Sequence, residues 1–358
     1  MAKTAYRSTL DRLGCWLSAI GYSTPALAGA VYLLCRYLNY HPKSVEQQPV
    51  FNLGAPPQLS TGQTIKVVTY NVQFCAGTGY DFFYDGGPDT VVSPRDVRAN
   101  LEQISKFLRK ENPDFVLLQE VDRGARRTGY LDETELLREA LPVELRSYTA
   151  ADYWRSKFVP HPKVAGSVGT QLVVFSRYRV GRAYRYQLPL RGGNPIEQDF
   201  YFKRAILKVE IPLAGSRCFV VLNTHLEAFS RGTDIMERQV AKVLAELKSL
   251  DRQKLPWIIG GDFNLLPPGQ YARLAPEARG KHTEPSAITP LFERYQGIPR
   301  LDDAIGNNLQ DQFTFSRQTG TGRVPVRTLD YFFAAPNVEI ERYEVRQKGT
   351  HELSDHFP

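Results

Sequence analysis

The chain has 358 residues, of which 42% are hydrophobic, and 45 basic residues against 38 acidic ones give a formal net charge of +7. This composition can bury a large core, and four scattered cysteines without a CxxC pair exclude a disulfide framework and a zinc or redox motif of that type. The mild positive charge suits an anionic partner, either nucleic acid or a lipid headgroup.

The N-terminal region contains an uncharged, largely apolar stretch at residues 13–35. The stretch is long enough to span a bilayer, but a Ser-Thr-Pro sequence ending at Pro25 would also start a new helix. Two short helices, roughly 4–20 and 25–39, are therefore an alternative to one continuous span. We predict that residues 1–40 form a membrane-associating helical segment.

Membrane association is predicted to involve residues 13–38, with the side of the membrane left open because basic residues flank both ends. A cleaved secretory signal and a soluble helical appendage are the alternatives. Residues 41–63 are rich in proline and lack a periodic pattern, so we predict a linker there.

From residue 64 onward, strand-like runs alternate with helical ones, which indicates a mixed sheet with flanking helices. One helix is predicted to start at Ser93-Pro94 and another at Asp234, each with an apolar stripe. Residues 266–298 are predicted to form surface loops with a short helix.

Polar residues stand at the ends of short apolar runs throughout residues 64–358. Such runs are typical of strands buried on both faces, where an unpartnered carboxylate or imidazole would be costly. At a strand end the same side chain can face a cleft. The motifs in chain order are VVTYNVQF with Asn71, FVLLQEVD with Glu120, VVLNTHLE with His225, IIGGDFN with Asp262 and Asn264, TLDYFF with Asp330, and SDHFP with Asp355 and His356.

These motifs predict metal-assisted hydrolysis of a phosphoester. The amide oxygen of Asn71 and the carboxylate of Glu120 are hard ligands that suit Mg²⁺ or Mn²⁺ better than zinc. His356 offers a general base near neutral pH, and Asp330 could orient its imidazole.

Three further side chains would act on the phosphate. His225, Asp262 and Asn264 would bind phosphoryl oxygens, position the attacking water or protonate the leaving oxygen. Each residue alone is a weak signal, because an isolated Asn or Asp at a strand end is more often a turn former. The prediction depends on all the motifs occurring in one order.

The combination YNVQ, LQE, NTHL, GDFN, LDY and SDH resembles the endonuclease/exonuclease/phosphatase superfamily over residues 64–358. This resemblance implies an α/β fold, a four-layer α/β sandwich of two packed mixed β-sheets flanked by helices, with the catalytic site at one end. It also implies that Asn71, Glu120 and Asp355 serve the metal and that His356 is the base paired with Asp330. By the same similarity, Asp262 and Asn264 position water and phosphate, and His225 assists at the phosphate or leaving group.

The chain departs from the superfamily pattern at two places. Gln73 stands where apurinic endonucleases carry an aspartate, which makes a role in abasic-site repair less expected. The sequence also stops at Pro358, where superfamily members continue into another strand. We therefore expect either a truncated chain or an empty last position in the sheet.

The substrate is less well defined by the sequence. Arg123, Arg126 and Arg127 follow Glu120, and Arg204 precedes a strand, so we predict a basic rim for substrate phosphate, with a solvated surface as the alternative. Tyr153 and Trp154 are predicted to lie in a loop, where they could stack on a base or enter a lipid interface.

The predicted reaction is hydrolysis of a phosphodiester in a phospholipid or sphingolipid headgroup or in a small molecule. A DNA or RNA nuclease is the enzymatic alternative. A non-catalytic scaffold would lack metal or base residues, and none is missing. No protein partner is predicted.

Overall fold

The computed structural model describes residues 25–215, 217–228, 232–319 and 322–358. The longer helices are α1 (Pro25–Leu38), α2 (Pro94–Glu111), α3 (Glu133–Ala140) and α5 (Ile235–Arg252), and the shorter ones are α4 (Pro195–Phe200), α6 (Gln270–Arg273), α7 (Thr289–Phe292) and α8 (Leu301–Ile305). The strands up to the middle of the chain are β1 (Val45–Gln48), β2 (Val67–Asn71), β3 (Phe115–Asp122), β4 (Ser147–Val159), β5 (Gly166–Ser176), β6 (Arg182–Gln187) and β7 (Ala205–Pro212). The remaining strands are β8 (Cys218–His225), β9 (Trp257–Asp262), β10 (Gly297–Ile298), β11 (Phe315–Thr319), β12 (Gly322–Arg327) and β13 (Asp330–Ala334).

Two mixed sheets pack face to face. The smaller has the order β2-β3-β5-β4, and the larger has the order β1-β6-β7-β8-β9-β13-β10. Each contains one parallel pair, β2 with β3 and β8 with β9, while the other neighbours are antiparallel. Helices cover the outer faces, so the predicted sandwich of two mixed sheets flanked by helices is confirmed.

Separate apolar cores hold the layers together. The core between the sheets includes Phe115, Leu117, Leu172, Leu207 and Val221, all fully buried. On the outer face of the small sheet, α2 buries the stripe that the sequence predicted, Val97, Leu101, Ile104 and Leu108. On the large sheet, α5 buries Val240, Val243 and Leu247 in the same way.

Two buried amides join the sheets just below the motif residues. Gln119 Nε2 donates to Asn223 Oδ1 at 2.7 Å. Asn223 Nδ2 in turn donates to the backbone oxygens of Leu118 and Val173, at 2.8 and 3.0 Å. Because buried amides cost stability unless they are paired, these bonds fix how the ends of β3 and β8 face each other.

The N-terminal part differs from the prediction in one respect. Helix α1 matches the predicted helix at 25–39, and the one predicted at 4–20 lies outside the described residues. Within the predicted linker, however, β1 forms an edge strand paired with β6, Val45 opposite Tyr186. The sequence Val-Glu-Gln-Gln has no apolar period, so this strand depends on its tertiary partner.

None of the helices in the described ranges has the length and apolar character needed to cross a membrane. The segment 266–298 contains α6, α7 and β10 between irregular stretches, close to the predicted loops with a short helix. Tyr153 and Trp154 lie within strand β4 and not in a loop, and Tyr153 is buried because it packs between the sheets.

Candidate active site

The motif side chains meet at one end of the sandwich because strands from both sheets end there. In the register of the large sheet, His225 lies beside Asp262, and Asp330 lies on the other side of Asp262. Strands β8 and β9 are parallel and end together, whereas β13 starts at this edge. The sheet therefore presents three catalytic candidates side by side.

The C-terminal segment adds His356 to this group. Its Nδ1 lies 2.8 Å from Asp330 Oδ2, and its Nε2 lies 3.6 Å from Asp262 Oδ2. His225 Nε2 approaches the same Asp262 oxygen at 3.3 Å. The two imidazoles thus flank one carboxylate, and the predicted pairing of His356 with Asp330 is present in the geometry.

The small sheet contributes Asn71 at the end of β2 and Glu120 near the end of β3. Asn71 Nδ2 donates to Glu120 Oε1 at 3.3 Å and to Asp262 Oδ2 at 3.1 Å. Its Oδ1 accepts from the backbone N–H of Gln73 at 3.0 Å. In this orientation the amide oxygen faces away from Glu120, so ligation of a cation by Asn71 requires the amide to rotate and exchange its oxygen and nitrogen.

Two of the motif residues have a backbone in the left-handed region. Glu120 has a φ of 58°, and the β3–β5 register shifts between Leu118 and Val121. A β-bulge changes the direction in which one side chain of a strand points. Here that side chain is the one of Glu120, a non-glycine residue whose backbone lies in the left-handed region. Asn264, with a φ of 52°, donates its backbone N–H to Asp262 Oδ1 at 2.9 Å.

The electrostatics of the site are dominated by carboxylates. Burial, together with the nearby Asp355, raises the pKa of Glu120. Burial also raises the pKa of Asp262. Burial alone would lower the pKa of His356, but the carboxylates of Asp330 and Asp262 outweigh it and raise that pKa.

His225 differs from His356. Burial, with Arg204 and His356 adding to it, lowers the pKa of His225 well below its usual value, so the ring is neutral at physiological pH. The Tyr153 hydroxyl lies 3.3 Å from His225 Nδ1. A proton on Nε2 facing Asp262 and an acceptor at Nδ1 facing Tyr153 would satisfy both neighbours.

The donor set fits a divalent cation. Glu120 and Asp355 repel each other, and no lysine or arginine in the described ranges forms an ion pair with either. By ligand spacing, Asp262, Asp330 and His356 also form a group whose ligand atoms lie within 4.8 Å of one another. His356 Nδ1 is already hydrogen-bonded to Asp330, so the oxygens of Glu120 and Asp355 are the better match for a hard ion.

The four arginines of the predicted basic rim differ in their contacts in the structure. Arg127 makes a two-bond ion pair with buried Asp122, at 2.6 and 2.8 Å, and stacks on Phe74. Arg126 donates to the backbone oxygen of Val164 at 2.9 Å, and Arg123 lies 3.6 Å from Asp152. The hydrogen bonds hold Arg126 and Arg127, so a phosphate contact by either would have to compete with them. The Arg123 side chain is 46% exposed and makes only this longer ion pair with Asp152 among the described residues.

Among the four arginines of the predicted rim, Arg204 has buried hydrogen-bond donors that no described residue uses. It is only 4% exposed, and its Nε and Nη1 atoms have no hydrogen-bond partner in the described part of the chain. Its guanidinium lies over the rings of Tyr153 and Phe202 and interacts electrostatically with Glu120 and His225. A buried guanidinium with unused hydrogen-bond donors is suited to a phosphate oxygen.

Sequence reasoning missed two hydroxyl residues that position the site. Ser354 Oγ donates to the backbone oxygen of Asn71 at 2.7 Å and accepts from the backbone N–H of His356 at 3.2 Å. Thr314 Oγ1 accepts from the backbone N–H of Asp330 at 3.0 Å. The serine of the SDH motif was a visible signal, whereas Thr314 has none in the sequence.

Comparison with known proteins agrees with this geometry. The model of the Endonuclease/Exonuclease/phosphatase family matches residues 68–356. The chain belongs to this family. Its members are hydrolases, nucleases and phosphatases among them, and they typically depend on a divalent metal.

Solved structures of family members share the fold. A protein of this family from Beutenbergia cavernae is 21% identical, with a TM-score of 0.56 over 82% of this chain and 69% of that one. A family protein from Leptotrichia buccalis is 14% identical, with a TM-score of 0.50 over 82% of this chain and 97% of that one.

A local match to a curated relative is stronger in sequence but short. Protein angel homolog 2 from Bos taurus is 36% identical over 88 residues, which are 24% of this chain and 15% of the relative. The matched part therefore spans a small fraction of that relative's length.

Proposed function

We propose that this chain hydrolyses phosphodiesters with the help of Mg²⁺ or Mn²⁺. The observation that carries the proposal is that three side chains, those of His356, His225 and Asn71, approach one carboxylate, that of Asp262. His356 is at the same time paired with Asp330 at 2.8 Å. A base, an orienting acid and oxygen ligands then surround one cleft.

Glu120 and Asp355, with Asn71 after rotation of its amide, would hold the cation, which supplies Lewis acidity on the phosphate. Without added positive charge, the surrounding carboxylates keep His356 protonated. A divalent charge beside them would offset that field and free Nε2 to take a proton from water.

The remaining residues have positional roles in this mechanism. Asp330 fixes the His356 ring through Nδ1 and stabilises the imidazolium once the proton has moved. Arg204 and Asn264 bind phosphoryl oxygens, and neutral His225 donates from Nε2 to the phosphate or the leaving oxygen. Arg123, Arg126 and Arg127 shape the wall of the cleft.

We favour a lipid-headgroup or small phosphodiester as the substrate. The supporting observation is the exposed face of α1, where Tyr32, Leu33, Leu34 and Tyr37 are 51%, 67%, 55% and 69% exposed. This helix packs on β4 and α4, and the residues after α4 lead directly to Arg204. A lipid surface in contact with α1 would lie beside the cleft.

Side-by-side hydrolysis of sphingomyelin vesicles, plasmid DNA and bis-p-nitrophenyl phosphate under Mg²⁺ tests the proposal. Turnover of the lipid and of the small diester supports it. Cleavage of plasmid DNA alone would replace the lipid substrate with nucleic acid. Absence of turnover on all of them would contradict an enzymatic role and leave a binding scaffold.

A further inference from the structure

A group of basic side chains lies on the His356 side of the cleft, on residues that the proposed chemistry does not use. It is formed by Lys281, Arg317, Arg323 and Arg327, and we call it the basic wall. Arg317, Arg323 and Arg327 belong to the β11–β12 hairpin, and Lys281 belongs to a neighbouring loop.

The hairpin is fixed to the catalytic segment. The backbone N–H and the hydroxyl of Ser316 both donate to the backbone oxygen of Asp355, at 2.7 and 2.9 Å. The Phe315 ring lies 5.0 Å from the His356 ring, and the Arg327 guanidinium lies 4.6 Å from the same Phe315 ring. One aromatic ring therefore separates Arg327 from the proposed base.

The guanidinium of Arg327 is held in place on its other side. Its Nη1 donates to the backbone oxygen of Ala278 at 2.7 Å. Gly280, at a φ of +62°, packs so closely that an added Cβ would come within 2.9 Å of Nη1. A side chain at position 280 would displace the guanidinium, so the loop is shaped around it.

Within the described ranges, two arginines of the basic wall have unused hydrogen-bond donors. The Nε atoms of Arg323 and Arg327 are buried without a hydrogen-bond partner among the described residues. Burial and the nearby Arg317 lower the pKa of Arg327 to about 10. Burial, with Arg327 and Lys281 adding to it, lowers the pKa of His282 to about 3. Clustered guanidinium groups with unused donors are stabilised by an anion.

The position of Asp85 places the basic wall at the cleft. This carboxylate interacts electrostatically with Asp355 and Glu120 and also with Arg323 and Lys281. Arg327 also interacts attractively with Asp85 and with Asp262. A ligand in the cleft can therefore reach the metal-binding oxygens and the basic wall together.

We propose that the basic wall is a second anion subsite, which binds a further phosphate group of the substrate next to the phosphodiester being cleaved. This inference rests on the proposed function and adds to it a preference for phosphodiesters that carry a further phosphate group. A nucleic acid and a phosphorylated inositol headgroup both offer that chemistry.

The test compares matched substrates that differ by one phosphate. One arm uses a thymidine dinucleotide without a terminal phosphate and the same dinucleotide with a phosphate at the 5′ end or at the 3′ end. The other arm uses glycerophosphoinositol with and without a 4-phosphate. The full chain and its R323Q and R327Q variants are assayed under Mg²⁺, with R182Q as the control that removes the same charge at the far end of the large sheet.

We expect the additional phosphate to raise kcat/KM of the wild type about tenfold in at least one arm. R323Q and R327Q should lose that advantage, whereas R182Q should keep it. The turnover of the dinucleotide without the terminal phosphate by R323Q and R327Q should stay within twofold of the wild-type value. The arm that shows the advantage identifies the source of the phosphate. No advantage in either arm, or equal losses on both members of a pair, overturns the subsite.

The subsite and the proposed function can fail separately. If the wild type hydrolyses neither these compounds nor the sphingomyelin, plasmid DNA and bis-p-nitrophenyl phosphate of the first test, the proposed function fails. If it hydrolyses only compounds of the first test, the proposed function stands. In both cases the matched pairs are measured by equilibrium binding. Tighter binding of the extra-phosphate member that depends on Arg323 would still support the subsite, and equal binding would reject it. Melting temperatures show whether R327Q is folded, and R323Q decides the question if it is not.

Discussion

At the scale of single residues, the proposed mechanism depends on the orientation of the His356 imidazole. His356 is held by Asp330 through Nδ1, which leaves Nε2 directed at Asp262 and the cleft. Phe315 packs edge-on against the ring, so its position is fixed from a second direction. The residue is buried, yet its replacement removes no major part of an apolar core.

The variant H356A is therefore expected to lose about 10²- to 10⁴-fold in kcat on bis-p-nitrophenyl phosphate. Its melting temperature should remain close to that of the wild type. H351A is a matched control, because His351 is an exposed histidine of the same C-terminal segment that contacts Phe357 rather than the cleft. Near wild-type turnover of H356A would refute the assignment of the base.

Residue identities at the site could be predicted from the sequence, but their contacts could not. Asn71, Glu120, His225, Asp262, Asp330 and His356 were visible as polar ends of apolar runs and do converge. The ion pair between Arg127 and Asp122 could not be predicted, because it depends on the distance between the two side chains in the folded chain. The unpaired donors of Arg204 could not be predicted either, because they depend on which hydrogen-bond acceptors lie near it in the fold.

At the scale of elements, the close approach of β8 and β9 positions His225 and Asp262, two of the proposed catalytic side chains. A Cβ at Gly261 would lie 1.9 Å from the backbone oxygen of Thr224, and Gly261 has a φ of +150°. Only glycine allows this parallel pair to bring His225 beside Asp262.

G261A is accordingly expected to reduce the free energy of unfolding by about 3 kcal/mol, because the backbone of one strand must move away from the other. Urea denaturation measures this loss. G192A is the matched control, since a Cβ at Gly192 meets no atom within 4 Å, and a change within about 0.5 kcal/mol is expected there. Equal stability of the two variants would contradict the described packing.

The loop that carries His282 provides a pH test of the basic wall. The pKa of His282 in the folded chain is about 3, below its ordinary value of 6.5, so the unfolded chain binds the proton more readily. The neutral ring is compatible with the fold above pH 6.5, and stability is lost as the pH falls towards 3.

The variant H282Q is expected to lose less stability than the wild type between pH 6.5 and pH 4, because glutamine does not titrate. Denaturant midpoints at a series of pH values for both proteins measure the difference. Parallel pH profiles would show that the surroundings of His282 do not disfavour its cation.

Elements whose apolar runs are continuous were predictable, as β2, β3, β8 and β9 illustrate. Helix α2 was predictable from its stripe and from Ser93, whose hydroxyl accepts from the Asp96 N–H at 3.1 Å. The β11–β12 hairpin was not, because its residues alternate in exposure without an apolar pattern. The edge strand β1 was hidden for the same reason.

At the scale of the whole molecule, α1 packs on β4 and α4 and leaves Tyr32, Leu33, Leu34 and Tyr37 exposed. Arg36 belongs to this helix, and Lys157 from β4 lies 3.7 Å from the Tyr37 ring. Exposed aromatic and leucine side chains next to cations are suited to an anionic lipid surface.

The double variant L33S/Y37S is expected to bind phosphatidylserine-containing vesicles at least about tenfold more weakly than the full wild-type chain in flotation assays. Its turnover of bis-p-nitrophenyl phosphate should be unchanged, since neither side chain lies at the cleft. Equal flotation of the variant and the wild type would contradict the proposal that α1 contacts a membrane.

The most direct test of the account is metal dependence measured on the whole chain with bis-p-nitrophenyl phosphate. EDTA should abolish hydrolysis, and Mg²⁺ or Mn²⁺ should restore it, because Glu120 and Asp355 offer oxygen ligands. E120Q should need a higher Mg²⁺ concentration for half-maximal activity, and its maximal rate should fall. Hydrolysis that survives EDTA, or that returns only with Zn²⁺, would contradict a site built around a hard divalent ion.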